Sequence, residues 1–374
     1  MKKAKPMDQK RKKKFKRTAS VVCIVIVLIM AVIILACYVV IHSYINKMNL
    51  VDIEDISISE QEGALYKDED ELESEPDDLI EDVPDSSPEE VDTVEDMIQQ
   101  NIEYNQTPVI SDKNVTNILL IGCDTRKKSG EGRSDAIIII SINKKMKTIT
   151  ATSILRDIYL QIPGKRNNRI NAAYAMGGAS LLLDTIEQNF KLELDRFVAV
   201  DFYAFVDIVD AVGGVTIEVS DEEIRVMNSY IKEINHLTGK DESLDQLTDS
   251  GSYHLNGKQT LGYVRNRYVG SDFARTARQR KVLEEIFDGV KDLGLPEINR
   301  LMNLILPQVT TNLTEGELVS MILALPSYAS YELQQISIPI SNSYDNLRIN
   351  KMAVLGIDFE MNIKEIQSII YNSK

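Results

Sequence analysis

Apolar and polar positions divide the chain into three unlike stretches. Val21 to Ile41 reads VVCIVIVLIMAVIILACYVVI, without one charged residue. Twenty-one helical residues at about 1.5 Å each span roughly 32 Å, the thickness of a hydrocarbon core. That is longer than the apolar part of a cleaved signal peptide, and Ala36-Cys37-Tyr38 is a poor cleavage site. The run predicts a retained transmembrane helix. Residues 51–99 are its opposite, with twenty-one Asp or Glu against the single Lys67 and with Pro76, Pro84 and Pro88 among them. Such a segment repels itself and buries little apolar surface, so residues 42–111 read as an extended, disordered linker.

From about Asn114 the pattern changes again. Asn117–Gly122, Ala136–Asn143 and Thr148–Ser153 are short β-branched runs bounded by turn residues, and read as buried strands. Arg196–Val200 and Val215–Val219 read as further strands, with a helix over Phe202–Val212 and a turn at Gly213–Gly214 between them. Helical spacing also runs through Ala172–Phe190 after Gly178, and through Asn256–Val264, Ala274–Leu293, Leu295–Leu306 and Glu315–Leu325. Strands interleaved with helices predict one α/β domain with a covered central sheet over residues 112–374.

Charge sets the orientation. Residues 1–20 carry ten Lys or Arg against Asp8, and residues 100–374 carry thirty basic against thirty-five acidic groups. A basic tail before an apolar span stays cytoplasmic, which places residues 1–20 inside and everything after the span outside the cell. A net acidic folded part behind a membrane excludes nucleic acid as a partner. Three cysteines, two of them in the span, and three histidines without ligand spacing exclude a disulfide framework, a zinc cluster and a His-based triad. The chemistry must run on carboxylates, guanidiniums and a divalent ion.

The arginines are not evenly spread. Of fourteen in residues 112–374, ten fall within 124–169 and 265–280, where an even spread places about three. Arginine offers a planar fork that grips phosphate oxygens two at a time. Arg265 and Arg267 are two apart and share a side if that segment is extended. Arg275, Arg278 and Gln279 share one face of a helix that begins near Arg275, whose free N–H groups add to an anion site. Among these cations stand Asp124, ending one strand, and Asp135, opening the next. Two carboxylates with ligand phosphates and waters suit Mg²⁺. Arg156-Asp157 follows the third strand and supplies a cation with an acid that orients it or acts as a base. Asp157 and Asp135 are both candidates for the general base.

These residues lie in motifs that occur in a fixed order. They run from Asn117-Ile-Leu-Leu-Ile-Gly-Cys-Asp-Thr-Arg126 through Gly132-Arg-Ser-Asp-Ala-Ile137, Ser153-Ile-Leu-Arg-Asp157 and Arg169-Ile-Asn-Ala-Ala-Tyr174. Val209-Asp-Ala-Val-Gly-Gly-Val215, Tyr263-Val-Arg-Asn-Arg267 and Asp272-Phe-Ala-Arg-Thr-Ala-Arg-Gln279 complete them. Together they resemble the LytR–CpsA–Psr family of bacterial wall enzymes, strongly over 112–280 and loosely in the helical part beyond.

The resemblance implies a three-layer α/β/α sandwich with a central mixed sheet. It also implies transfer of a glycopolymer, such as teichoic acid or capsule, from a polyprenyl-pyrophosphate carrier to a peptidoglycan sugar hydroxyl in a Gram-positive bacterium. By motif match, Asp124 and Asp135 hold Mg²⁺ (or Mn²⁺). Arg156, Arg169, Arg265, Arg267, Arg275, Arg278 and Gln279 bind the pyrophosphate, and Asp135, Arg156, Asp157 and Arg267 carry the catalysis. The lipid tail needs an apolar trough, for which Val200–Val212 and Leu283–Leu293 are candidates. A polyprenyl-pyrophosphate phosphatase and a non-catalytic lipid-pyrophosphate-binding or regulatory wall protein are the alternative functions.

Overall fold

A strand of two residues, β1 (Asn49–Leu50), opens the folded unit. The computed structural model of the chain describes residue 43 and residues 46–51, 84–104, 107–123, 134–291 and 294–371. The chain divides into Met1–Lys47 and Met48–Lys374, and nearly all of the first unit, with the 21–41 span, lies outside the described residues. Among the described residues no helix is long and apolar enough to cross a membrane.

Helix α1 (Pro88–Gln99) corrects the linker assignment. Ser87 accepts from the Glu90 amide, and Glu90 Oε2 accepts from the Ser87 amide at 2.7 Å, a reciprocal cap with Pro88 at the first helical position. Val94 and Ile98, four residues apart, are buried in the main core although acids surround them in sequence. The acids occupy the solvent face, so high local charge coexists with one apolar stripe. The Ser86 amide donates to the Arg348 carbonyl at 3.1 Å, so the domain reaches back well before residue 112.

The central sheet is built from β2 (Val115–Cys123), β3 (Ser134–Asn143) and β4 (Thr148–Ile154). After the small ladder β5 (Tyr159–Leu160) with β6 (Asn168–Arg169), helix α2 (Ile170–Phe190) leads to β7 (Phe197–Asp201). Gly178, at φ 59°, lets α2 kink. Then come α3 (Phe202–Ala211), β8 (Val215–Val219), α4 (Asp221–Leu237), β9 (Gly251–Leu255), α5 (Gly257–Arg265), α6 (Asp272–Lys291) and α7 (Leu295–Ile305). The chain ends with β10 (Val309–Thr311), α8 (Glu315–Tyr328), β11 (Glu332–Ile338), β12 (Tyr344–Ile349), β13 (Met352–Ile357) and α9 (Phe359–Tyr371). The structure bears out the four helices expected after Asn256 and adds four C-terminal elements that the sequence reading did not name, β11 to β13 and α9, the last burying Phe359, Ile363, Ile366 and Ile370 at helical spacing.

Seven strands pair in the order β1-β10-β7-β2-β3-β4-β11. β1–β10, β7–β2 and β4–β11 are parallel, and the other neighbours antiparallel, so the sheet is mixed. Leu119, Ile121, Ile137 and Ile139 pack on one face with α1, α2 and α9. Ile140, Ile142 and Ile149 pack on the other with residues of α6 and α8. Alternate side chains thus feed two cores, and helices cover both faces. A separate apolar cluster joins α3, β8, α4, β9 and α5.

Candidate active site

Register brings the chemistry to one end of the sheet. β2 and β3 are antiparallel, with Ile121 opposite Ile137, so the start of β3 at Asp135 meets the end of β2. β4 runs antiparallel to β3, with Ile137 opposite Ile154, so Arg156 and Asp157 emerge at the same end. Backbone bonds hold them there: the Leu155 amide donates to the Ile338 carbonyl at 2.9 Å, and the Leu355 amide to the Asp157 carbonyl at 2.8 Å. Arg169 arrives on β6, just before α2. Arg267 follows α5, and Asp272 and Arg275 occupy the first turn of α6.

Four guanidiniums and three carboxylates interlock here. Arg156 lies 3.1 Å from Asp135, 3.4 Å from Asp157 and 3.6 Å from Asp272. Arg267 reaches Asp135 at 3.2 Å, Arg169 reaches Asp157 at 3.4 Å, and Arg275 reaches Asp272 at 3.1 Å. The set carries one net positive charge when all are ionised. Arg275 is almost wholly buried, yet its Nε and Nη1 find no hydrogen-bond acceptor among the described residues, and neither does Arg156 Nε. Buried donors left unpaired cost about 1–3 kcal/mol each, so the arrangement is built for an anion with several acceptor oxygens.

The titration directions agree. Burial works to raise the Asp135 carboxyl, but Arg156, Arg267 and Arg275 outweigh it and hold it at about 2. Asp157 is lowered in spite of its burial, chiefly by Arg156 and by a hydrogen bond from Asp272. Asp272 is pushed up to about 6, by burial first and then by the neighbouring Asp157 charge, against the pull of Arg275 and Arg156. Burial and the Arg156 charge both disfavour the charged form of Arg275. Cys123, beneath the site, is pushed up to about 12 by burial, so it stays a neutral thiol and is no nucleophile.

Of the residues read from the sequence, the structure joins Asp135, Arg156, Asp157, Arg169, Arg267 and Arg275. Asp124 lies outside the described residues. Arg265 does not share a side with Arg267: it ends α5, and its guanidinium sits 4.5 Å from the Phe202 ring centroid and 4.6 Å from that of Tyr230. The helix runs on through Arg265 and breaks only at Asn266, so the segment is not extended there. Arg265 instead borders an apolar cleft with Phe202, Tyr203, Val206, Leu237 and Leu261, which uses α3 of the two trough candidates and not α6.

Arg278 also departs from expectation. It donates to Glu223 Oε1 at 2.8 Å and to the Asn266 carbonyl at 3.0 Å, and it also bonds the Val269 carbonyl. It braces the loop that carries Arg267. Gln279 is half-buried one turn beyond Arg275. Asp272 was not singled out from sequence. Its position three residues before Arg275 on a helix was the available signal.

The domain is thus an α/β fold with a mixed central sheet that gathers Arg156, Arg169, Arg267 and Arg275 and three carboxylates at one end. Residues 85–370 match the LytR_cpsA_psr family, and the chain belongs to that family. It is 31% identical over 230 residues to the polyisoprenyl-teichoic acid–peptidoglycan teichoic acid transferase TagT of Bacillus subtilis (strain 168), covering 60% of this chain and 68% of that one. It is 30% identical over 250 residues to the regulatory protein MsrR of Staphylococcus aureus (strain COL), covering 65% and 70%. Among solved structures, TagT bound to LI-WTA superposes with a TM-score of 0.56 at 26% identity, covering 74% of this chain and 97% of that one. The protein YwtF (TagT) with bound octaprenyl pyrophosphate lipid gives 0.52 at 25% identity, covering 73% and 98%.

Proposed function

We propose that the chain transfers an anionic glycopolymer from a polyprenyl-pyrophosphate carrier onto a sugar hydroxyl of peptidoglycan, outside a Gram-positive cell. The observation that carries this is Arg275, buried beside Arg156 with two N–H groups unpaired among the described residues. A diphosphate offers the oxygens those groups lack. The names of the TagT relative and of the structure holding octaprenyl pyrophosphate support the same reading.

Arg156, Arg169, Arg267 and Arg275 bind the diphosphate and spread its charge. The hydroxyl attacks the phosphorus on the glycan side, the bond to the bridging oxygen breaks, and polyprenyl phosphate leaves. Guanidiniums aimed at that developing negative charge lower the barrier. The hydroxyl proton goes to the Asp157–Asp272 pair. Asp135 is a poor acceptor, since Arg156 and Arg267 hold it at about 2.

An ionised Asp135 is a hard oxygen donor that suits Mg²⁺, with Asp124 and ligand phosphate oxygens completing the set. Among the described residues no trio of Asp, Glu, His or Cys is placed to hold the ion, and Asp124 lies outside them. When bound, the ion neutralises phosphate charge.

Incubating the full chain with lipid-pyrophosphate-linked glycan, Mg²⁺ and peptidoglycan tests the proposal. Polymer joined to wall material supports it. Release of free phosphorylated glycan without attachment indicates hydrolysis, and no turnover indicates a binding protein.

A further inference from the structure

Arg280 falls in the arginine-rich stretch 265–280 but takes no part in the network around Asp135, Asp157 and Asp272. It lies on α6, five residues and about 7.5 Å of helix beyond Arg275. Arg275 and Arg278 each hold an acid, at 3.1 and 2.8 Å. Arg280 is half-buried, and among the described residues no carboxylate pairs with it. Its Nη1 donates to the Ser337 hydroxyl. Burial pushes its guanidinium down from the ordinary value, and no acid offsets the effect. A cation taken partly out of water without a counter-charge costs free energy unless an anion joins it.

The sheet beneath supplies two hydroxyls. Ser337 on β11 stands opposite Ser153 on β4 in the parallel ladder, about 4.8 Å away. Leu333 and Ile149, four residues earlier on the same strands, pack on the face that α6 and α8 cover. Side chains alternate along a strand, so Ser337 and Ser153 share that face. α6 follows β11 there, since Gln335 Nε2 donates to Glu284 Oε2 at 3.2 Å, one turn beyond Arg280. Ser153 is 1% exposed, and its Oγ finds no hydrogen-bond partner among the described residues. Ser337 accepts from Arg280 and keeps its own proton to donate. One guanidinium and two hydroxyls thus lie side by side with donors left over, a set that the oxygens of a phosphate or carboxylate fill. Ser153 comes three residues before Arg156, so this cradle adjoins the guanidinium cluster.

We propose that Arg280, Ser337 and Ser153 form a second oxyanion site, which takes a phosphate or carboxylate group of the glycan while Arg156 and Arg275 hold the diphosphate of the carrier. An acidic glycan supplies the counter-charge that Arg280 lacks, whereas a neutral one leaves it unpaired. The site therefore selects among carriers by the charge of their sugars. The source of the anion rests on the transfer reading above, and the existence of the site does not.

Titration calorimetry on the full chain in detergent micelles tests this with two short prenyl diphosphates. One carries an N-acetylhexosamine joined to a neutral hexose, the other the same amino sugar joined to a hexuronic acid. The acidic carrier should bind at least about tenfold more tightly. Arg280→Met should bring that ratio close to one. Ser153→Ala removes a hydroxyl without a partner, so it should leave the melting temperature of the free chain in place while cutting the ratio roughly 2–10-fold. A ratio that survives both substitutions, or equal binding of both carriers by the parent chain, overturns the assignment to the glycan. Inorganic phosphate separates the site from its source. Added to Arg275→Met, in which the first cluster has lost its buried cation, phosphate should raise the melting temperature by a few degrees, and adding Arg280→Met should abolish the rise. An equal response of those two chains, whether a rise or none, means that no oxyanion site lies at Arg280. If neither carrier binds the parent chain, the transfer reading fails and the phosphate comparison still decides the site.

Discussion

Arg267 Nη2 lies 3.2 Å from Asp135 Oδ2 although 132 residues separate the two. The contact joins the loop after α5 to the start of β3, and so ties the two arginine-rich stretches of the sequence into one site. Arg267→Ala removes one charge-assisted contact, worth roughly 1.5–3 kcal/mol, from a side chain that is about one-third exposed. The expected result is a loss of roughly 10–150-fold in kcat/KM with a melting temperature lowered by only a few degrees. Steady-state kinetics with parallel thermal melts check it.

Arg275 and Arg278 are three residues apart and should answer mutation in different ways. Arg278→Met leaves the half-buried Glu223 without its cation, though Ser220 still donates to it, and strips a buried donor from the Asn266 and Val269 carbonyls. It should destabilise the fold by about 1–3 kcal/mol. Arg275→Met removes two donors that lack acceptors among the described residues and one contact, Nη2 to Asp272 at 3.1 Å. Asp272, already raised to about 6, can answer by holding its proton, so ligand-free stability should fall less than in Arg278→Met. What Arg275→Met should abolish is the rise in melting temperature on adding a short prenyl pyrophosphate. A normal ligand-induced rise in that variant removes Arg275 from the anion site.

Asp272 gives stability an unusual pH term. Its carboxyl is raised from 3.8 to about 6 in the folded protein, which therefore holds a proton that the unfolded chain has released in that window. The resulting stability is complete below 3.8 and is lost as pH climbs through about 6. Asp135 runs the other way: lowered to about 2, it stabilises above 3.8 and loses that contribution as pH falls. Asp272→Asn deletes only the first term. The difference in melting temperature, variant minus parent, should grow more positive from about pH 4 to about pH 6.5. A flat difference over that range means that Asp272 titrates normally.

The domain boundary offers a fourth test. A chain starting at Pro84 keeps α1, whereas one starting at Ser111 or later loses Val94 and Ile98 from the main core and Glu95 from the Tyr159 hydroxyl, 3.0 Å away. Burying each aliphatic side chain is worth about 1.5–3 kcal/mol, so the shorter chain should melt well below the longer one. Equal melting temperatures would make α1 an appendage.

Periodicity and residue chemistry alone carried a good deal. The β-branched runs at Asn117–Gly122, Ala136–Asn143 and Thr148–Ser153 are continuous because both faces of the sheet are covered, and that is why they were legible as strands. The arginine excess in 124–169 and 265–280 pointed to the sheet end where Arg156, Arg169, Arg267 and Arg275 gather, since guanidinium chemistry does not depend on knowing the fold. Tertiary structure decided which arginines meet. Arg265 and Arg278 have the same sequence credentials as Arg267 and Arg275, but one helix end turns Arg265 onto Phe202, and one half-buried acid, Glu223, captures Arg278. Pairing across the sheet decided the rest. Residues 49–51 and 88–99 sit in or beside a charge-dense stretch whose local composition argues for disorder. They are ordered by contacts with Thr311, Arg348 and the main core, distant positions that no local window contains.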